Sequence, residues 1–187
     1  ELEKHTNKKI YTIPFWVDDK KWFSIQNKQL LKESFNFDEK SYLVGSFQRD
    51  TEKGKELLPK LEKGPDILLN IIKKLNTNHS NLHIVLAGKR RGYLIKELKK
   101  EGIKFTYFEM IKNSQLNELY NCLDLYIVSS RLEGGPASIM ECALTKTPII
   151  STDVGIANKI LPKNSIFQDE NYENSKPDIE LAFSNVQ

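Results

Sequence analysis

The stretch Asp124-Leu125-Tyr126-Ile127-Val128-Ser129-Ser130-Arg131-Leu132-Glu133-Gly134-Gly135-Pro136-Ala137-Ser138-Ile139-Met140-Glu141 changes character midway. Its first part is a short, continuous apolar run, the pattern of a strand buried on both faces. Two glycines then permit a tight backbone with close approach, and Pro136 suits the first position of a helix over Pro136 to Leu144. A strand that feeds a helix through such a loop is half of a strand–helix–strand unit. The unbonded N–H groups of Ala137 and Ser138 would point out of the helix start, where donors and dipole together favour an anion, typically a phosphate.

The same alternation extends in both directions. Upstream, strands are predicted at Tyr42–Gly45, Leu82–Gly88 and Ile103–Tyr107, with helices at Gln26–Phe35, from Pro65 onward, at Leu94–Lys100 and at Gln115–Cys122. The helix after Pro65 carries Leu68, Leu69, Ile72 and Leu75 on one face. Downstream come a strand at Pro148–Ser151, a helix at Ile156–Leu161, a strand at Ile166–Phe167 and a helix at Ile179–Phe183. Ile10–Ile13 is a further short strand candidate. Strand and helix in turn, with short apolar strands, predict an α/β fold: a Rossmann-like three-layer sandwich around a mostly parallel sheet. The expected division is a linker over 1–41 that packs on the domain, and one Rossmann-like domain over 42–187.

Composition narrows the function classes. The 187 residues carry 28 Lys and Arg against 25 Asp and Glu, a net charge of +3 that is too mild for a dedicated nucleic-acid binder. No apolar run approaches the roughly 20 residues of a membrane span. Cys122 and Cys142 lie within apolar periodic segments without a CxxC partner, and read as buried reduced thiols. The chain begins at Glu1, and is expected to be a piece of a longer protein. G-x-G, the Walker A loop, H-E-x-x-H and G-x-S-x-G are all absent. No D-x-D pair follows a strand, which argues against a carboxylate-held metal. His5 and His79 lie in polar segments, and His83 reads as a sheet position of mixed exposure.

In open parallel sheets ligands bind beyond the carboxyl ends of the strands. The residues there are Glu133 in the glycine loop and Glu141 about one and a half turns into the helix. A carboxylate accepts two hydrogen bonds at once, so each suits adjacent hydroxyls of a sugar or ribose. Glu141 alone would be read as a solvated helix residue; Glu133 and the glycines in register favour the site.

The spacing Glu133-x7-Glu141 resembles the E-x7-E motif of retaining glycosyltransferases with the GT-B fold, family 4 (group 1). Other segments resemble that family in order: Thr12–Asp18 its "IPNGVD" lead-in, Leu43–Gly45 its first strand, and Lys63–Leu68 its "KG…L" helix start. Ile84–Gly88, Leu119–Ser130 and Thr147–Gly155 are similar to its later strands and their loops. The resemblance implies one half of a GT-B enzyme of polysaccharide biosynthesis, the donor-binding C-terminal domain, with the acceptor-binding N-terminal domain absent. By position Glu133 would meet donor-sugar hydroxyls and Glu141 the ribose. The Gly134, Gly135, Ala137 and Ser138 backbone would lie along sugar and diphosphate. Arg49 and Lys63 would neutralise the leaving diphosphate without a metal or cofactor, and the isolated domain would be inactive.

Several positions depart from the family pattern. Arg49 comes three residues later than usual, and a charged insertion carries a second Lys-Gly, Lys53-Gly54, so Lys53 stands as the alternative to Lys63. Pro136 removes one N–H donor, and Gly155–Lys159 lacks the usual acid. The implied partners are a nucleotide-sugar donor, the missing domain and a glycan or lipid-linked acceptor, with no nucleic acid. The implied location is cytoplasmic, peripheral to the inner membrane face. A non-catalytic nucleotide-sugar-binding or assembly module, or a GT-B epimerase or phosphorylase, is the alternative. Lys89-Arg90-Arg91 reads either as a phosphate or base contact or as a solvated turn. Phe15, Trp16, Trp22 and Phe23 read either as a surface for a missing domain or as packing on their own.

Overall fold

The computed structural model describes residues 4–11, 16–54, 57–168 and 171–186. Six strands form one sheet: β1 (Tyr42–Ser46), β2 (Leu82–Ala87), β3 (Phe105–Phe108), β4 (Leu125–Val128), β5 (Ile149–Thr152) and β6 (Ile166–Phe167). Their order is β3-β2-β1-β4-β5-β6, and every pairing is parallel, a step beyond the mostly parallel sheet expected. The seven α-helices among the described residues are α1 (Lys28–Ser34), α2 (Pro65–Asn78), α3 (Gly92–Lys100), α4 (Asn113–Cys122), α5 (Ala137–Thr145), α6 (Ala157–Ile160) and α7 (Ile179–Ser184).

Strand side chains alternate between two apolar layers, because successive residues of a strand point to opposite faces. Val44, Ile84, Leu86, Leu125 and Ile127 pack with α2 and α3. Leu43, Val85, Ala87, Tyr126 and Val128 pack with Leu119 and Tyr120 of α4 and Ile139 and Cys142 of α5. Both cysteines are free and buried, and burial pushes the Cys122 thiol up to about 12.

The aromatic group near the N-terminus divides. Trp22 is buried edge-on against Tyr120, whereas Trp16 and Phe23 are exposed and Phe15 lies outside the described residues. Of the strand candidate Ile10–Ile13, Ile10 and Tyr11 form no strand, and Thr12 and Ile13 lie outside the described residues. Phe23 and Ile25 donate backbone N–H groups to the side chains of Asn117 and Asn121, which tie this segment to α4.

His83 is more enclosed than its sequence position suggested. It is buried, edge-on to Phe37, with Nε2 2.8 Å from Thr106 Oγ1 and with Nδ1 lacking a partner. Burial, helped by the Lys104 charge, lowers its pKa to about 4. The unfolded chain therefore binds the extra proton first, and stability is complete above about pH 6.5 and falls as pH drops toward 4. The loss reaches about 3 kcal/mol by that linkage. Urea unfolding at pH 7 and pH 4.5 checks this, and His83→Gln is expected to shrink the difference; an equal difference in the variant excludes His83 as its source.

Candidate functional site

The strand order reverses between β1 and β4, so their carboxyl-end loops diverge and leave a crevice. Those loops hold most of the sequence-derived candidates. After β1 come Phe47, Gln48 and Arg49; the insertion returns through a 3₁₀ turn, Leu61–Lys63, into Gly64 and α2. After β4 come Ser129, Ser130 and Glu133, then the glycines and α5.

Lys63 and Glu133 meet across the crevice, with Nζ 2.5 Å from Oε1 and both side chains mostly buried. Several contacts set that meeting. Gly64 adopts φ 57°, and a Cβ there would lie 1.8 Å from the Ser129 carbonyl oxygen, so the Lys-Gly turn rests directly on the β4 loop. Gln48 Nε2 donates to Lys63 O at 2.8 Å and lies 3.0 Å from Ser129 Oγ. Ser130 Oγ lies 3.1 Å from Gln48 Oε1 and 3.0 Å from Glu133 Oε1. The N–H groups of Arg131 and Leu132 both donate to Glu62 O, and the Arg131 guanidinium grips Asp66 at 2.7 and 2.6 Å. That guanidinium, through its hydrogen bonds, holds the Asp66 carboxyl below its usual range.

The remaining candidates are placed separately. Glu141 accepts a 2.7 Å hydrogen bond from the Tyr120 hydroxyl, not a contact from Glu133. Burial raises its pKa, and the Tyr120 bond partly offsets the rise. Arg49 is exposed on the β1 loop and carries no ion pair among the described residues. Lys53 sits on an exposed turn at Gly54 whose Cβ position is open, so that second Lys-Gly makes no close approach. Helix α5 begins at Ala137 rather than Pro136, which is its N-cap with an extended ψ of 115°. Pro136 lacks an N–H in either position, and Ala137 and Ser138 open the first turn.

Gly155 at φ 58° supports this loop from β5: a Cβ there would come within 2.9 Å of Gly135 Cα and N, so only glycine lets the β5 loop support the Gly134–Gly135 backbone. Gln48 and Tyr120 were not among the sequence candidates. Gln48 is an uncharged neighbour of Arg49, and Tyr120 reads as one more apolar position of α4. Lys89-Arg90-Arg91 fits neither of its readings fully. Arg91 is wholly buried, with Nε 2.9 Å from Asp50 Oδ2.

At the ends of β1, β2 and β3 a cleft of about 240 Å³ is lined by residues that include Phe47, Gly88, Lys89, Glu109, Met110, Ile111 and Leu116. It adjoins the crevice through Phe47, whose N–H donates to the Tyr126 hydroxyl and whose ring packs on Tyr120. The arrangement thus offers a cation beside a carboxylate, a helix N-terminus, a second, half-buried carboxylate on a tyrosine, and an adjacent, largely apolar cleft.

Residues 29–185 match the family described as Glycosyl transferases group 1. The lipopolysaccharide core biosynthesis mannosyltransferase LpsB of Rhizobium meliloti is 22% identical over 156 residues, covering 80% of this chain and 42% of LpsB. The chain thus spans about two fifths of that curated relative. Among solved structures, the C-terminal domain of a glycosyl transferase group 1 family protein (LpcC) from Francisella tularensis superposes with a TM-score of 0.72 at 15% identity, covering 91% of this chain and 96% of that one. Anabaena HepE, solved with UDP and glucose, gives a TM-score of 0.67 at 16% identity, covering 91% of this chain and 50% of HepE.

Proposed function

This chain belongs to the group 1 glycosyl transferases, and from that membership we propose that it is the donor-binding half of a retaining, family 4 enzyme. The whole enzyme would move a sugar from a nucleoside diphosphate to an acceptor hydroxyl. The observation that carries the reading is the meeting of Lys63 and Glu133 at the β1/β4 crevice, beside the start of α5.

In this reading the donor lies across the crevice. Lys63, with three N–H donors, keeps one on Glu133 and turns the others to the diphosphate. Arg49, exposed on the β1 loop and without an ion pair among the described residues, closes on the same charge, and the Ala137 and Ser138 N–H groups face it from α5. These groups stabilise charge that grows as the nucleoside diphosphate departs, the task of a preorganised electrostatic clamp, so no metal is assigned. Glu133 accepts from donor-sugar hydroxyls, Glu141 from the ribose, and the cleft lined by Phe47 and Ile111 takes the base. The incoming hydroxyl would come from a glycan or lipid-linked acceptor held by a further, N-terminal domain, without which transfer is not expected. Residues 1–41 serve as the linker to that domain, and 42–187 as the donor domain. A cytoplasmic enzyme working at the inner membrane face fits such a donor and acceptor.

Calorimetric titration with UDP, GDP and ADP tests this. One nucleotide is expected to bind selectively, and Glu141→Ala and Lys63→Ala are each expected to weaken it about ten- to a hundredfold, the worth of a charged hydrogen bond. Lys53→Ala is expected to change it less than about twofold, because that side chain is exposed and carries no ion pair among the described residues. Indifference of the folded chain to all three nucleotides would sink the donor reading. One feature favours a non-catalytic nucleotide-sugar module instead: no acid stands in Gly155–Lys159. Turnover by a longer form of the protein separates the two.

The raised pKa of Glu141 makes binding pH-dependent. Only the carboxylate accepts two ribose hydroxyls, so nucleotide affinity is expected to fall as pH drops through a range above that of an ordinary glutamate. Tyr120→Phe removes the bond that offsets burial, and is expected to move the inflection to higher pH. Identical pH profiles for the two proteins would exclude Tyr120 as the group that holds Glu141 ready.

A further inference from the structure

Two features of the chain have no part in the donor site: the charged insertion after Arg49, and the basic residues from Arg90 into α3. The fold brings them together. The insertion doubles back on itself, with Glu52 N donating to Leu58 O at 3.0 Å and Lys60 N to Asp50 O at 2.8 Å, and with an antiparallel bridge between Thr51 and Pro59. This flap is tied to the turn after β2, because the Asp50 and Thr51 N–H groups both donate to Arg90 O, at 3.1 and 3.2 Å. It is also tied to α3, where Thr51 Oγ1 accepts from Tyr93 N at 2.9 Å.

Between flap and α3 lies a cleft of about 630 Å³, within the usual range for a small-molecule site. Its free cations are Arg90, Lys96 and Lys99, none of which has an ion pair among the described residues. The fourth basic residue, Arg91, is engaged by Asp50. Arg90 holds φ 62°, a left-handed conformation uncommon outside glycine that gathers where a fold serves function. Facing these cations are a half-buried carboxylate, Glu52, an exposed one, Glu109, and the apolar surfaces of Leu57 and Tyr107. Lys55 and Glu56, also of the insertion, lie outside the described residues.

A purely anionic ligand would be repelled by the two carboxylates, and a neutral sugar would leave three cations without a partner. A molecule with both characters satisfies both sets. We propose that the flap–α3 cleft is a second site, which adjoins the cleft assigned to the base at Glu109 and binds a phosphorylated saccharide. The phosphate sits among Arg90, Lys96 and Lys99, charge-assisted hydrogen bonds being the strong ones. The sugar hydroxyls donate to Glu52 and Glu109, and the C–H faces of the ring lie on Leu57 and Tyr107. Such a site gives the protein a means to sense or hold a sugar phosphate independently of its donor.

The test is calorimetric titration of the 187-residue chain with glucose 6-phosphate, glucose and inorganic phosphate. Glucose 6-phosphate is expected to saturate one site, with either half alone binding at least about tenfold more weakly. Two variants probe the cleft without touching the core. Arg90→Gly removes the guanidinium while accepting the same φ, and Lys96→Gln with Lys99→Gln alters only exposed side chains. Each is expected to weaken glucose 6-phosphate about tenfold or more and to leave unchanged the binding of whichever of UDP, GDP and ADP the unaltered chain selects. No binding of glucose 6-phosphate, equal binding of phosphate alone, indifference to both variants, or displacement by that nucleotide would each overturn the proposal. Failure of the donor reading shows itself differently, as absent nucleotide binding by the unaltered chain.

Discussion

Asp50→Ala is expected to destabilise the protein by about 3–5 kcal/mol, the cost of breaking a buried ion pair by removing one partner. Arg91 is the largest wholly buried side chain among the described residues, and neither its Nε, Nη1 and Nη2 nor Asp50 Oδ2 has a hydrogen bond among them, so the pair rests on charge proximity. Its compensation is the Asp50 carboxylate, 2.9 Å from Nε. Burial already lowers the Arg91 pKa, with Asp50 acting against that fall; burial likewise raises Asp50, with Arg91 pulling it back. Alanine would leave the guanidinium charged in a closed site, and would free Thr51, whose hydroxyl donates to Asp50 at 2.6 Å. For a domain of this size the melting temperature should fall by roughly 6–20 °C. The double replacement Asp50→Leu with Arg91→Met is expected to recover most of the loss, since two apolar groups leave nothing to solvate. A loss under about 1 kcal/mol for the single variant would show that water reaches Arg91.

Gly64→Ala is expected to cost about 4 kcal/mol through two additive causes. Alanine at φ 57° carries a conformational penalty of about 1–2 kcal/mol. Its Cβ would also stand 1.8 Å from the Ser129 carbonyl, a backbone atom of the strand-end loop that has no free rotamer to retreat into. Overpacking of that kind adds about 1–3 kcal/mol. The turn must then lift from β4, taking Lys63 away from Glu133 and Gln48 away from Lys63 O. Chemical unfolding and titration with the nucleotide the chain selects should therefore change together. Gly54→Ala is the control: its φ of 73° brings the conformational penalty alone, because nothing among the described residues lies within 4 Å of the new methyl. Equal losses for the two would mean that the contact with Ser129 contributes nothing.

The elements themselves were legible, because each depends on local periodicity. The helix of Leu68, Leu69, Ile72 and Leu75 runs from Pro65 as its pattern required, and the four apolar residues of β4 are buried on both faces. Boundaries moved by one or two residues, at helix starts such as Pro136 and at strand ends such as β3, which runs over Phe105–Phe108 rather than Ile103–Tyr107. Which of two Lys-Gly pairs approaches the β4 loop was open in the sequence, since Gly54 and Gly64 are alike as letters. Long-range packing separates them: one faces open space and the other a carbonyl. Arg91 likewise read as part of a basic turn until the fold enclosed it with Asp50.

The sequence by itself determined the alternation of strands and helices, the parallel sheet, the glycine loop and the carboxylates spaced along it. These follow from intervals of two to eight residues, over which backbone geometry dictates which side chains share a face. The tertiary structure alone decided that Lys63 meets Glu133 across 70 residues of chain, that Tyr120 holds Glu141, and that Gln48 joins the two loops. It also decided that the insertion folds onto α3. Those contacts depend on the strand order, which sets β1 beside β4 and opens the crevice between them. No local periodicity encodes that neighbourhood; it arises when the apolar faces of sheet and helices are buried together.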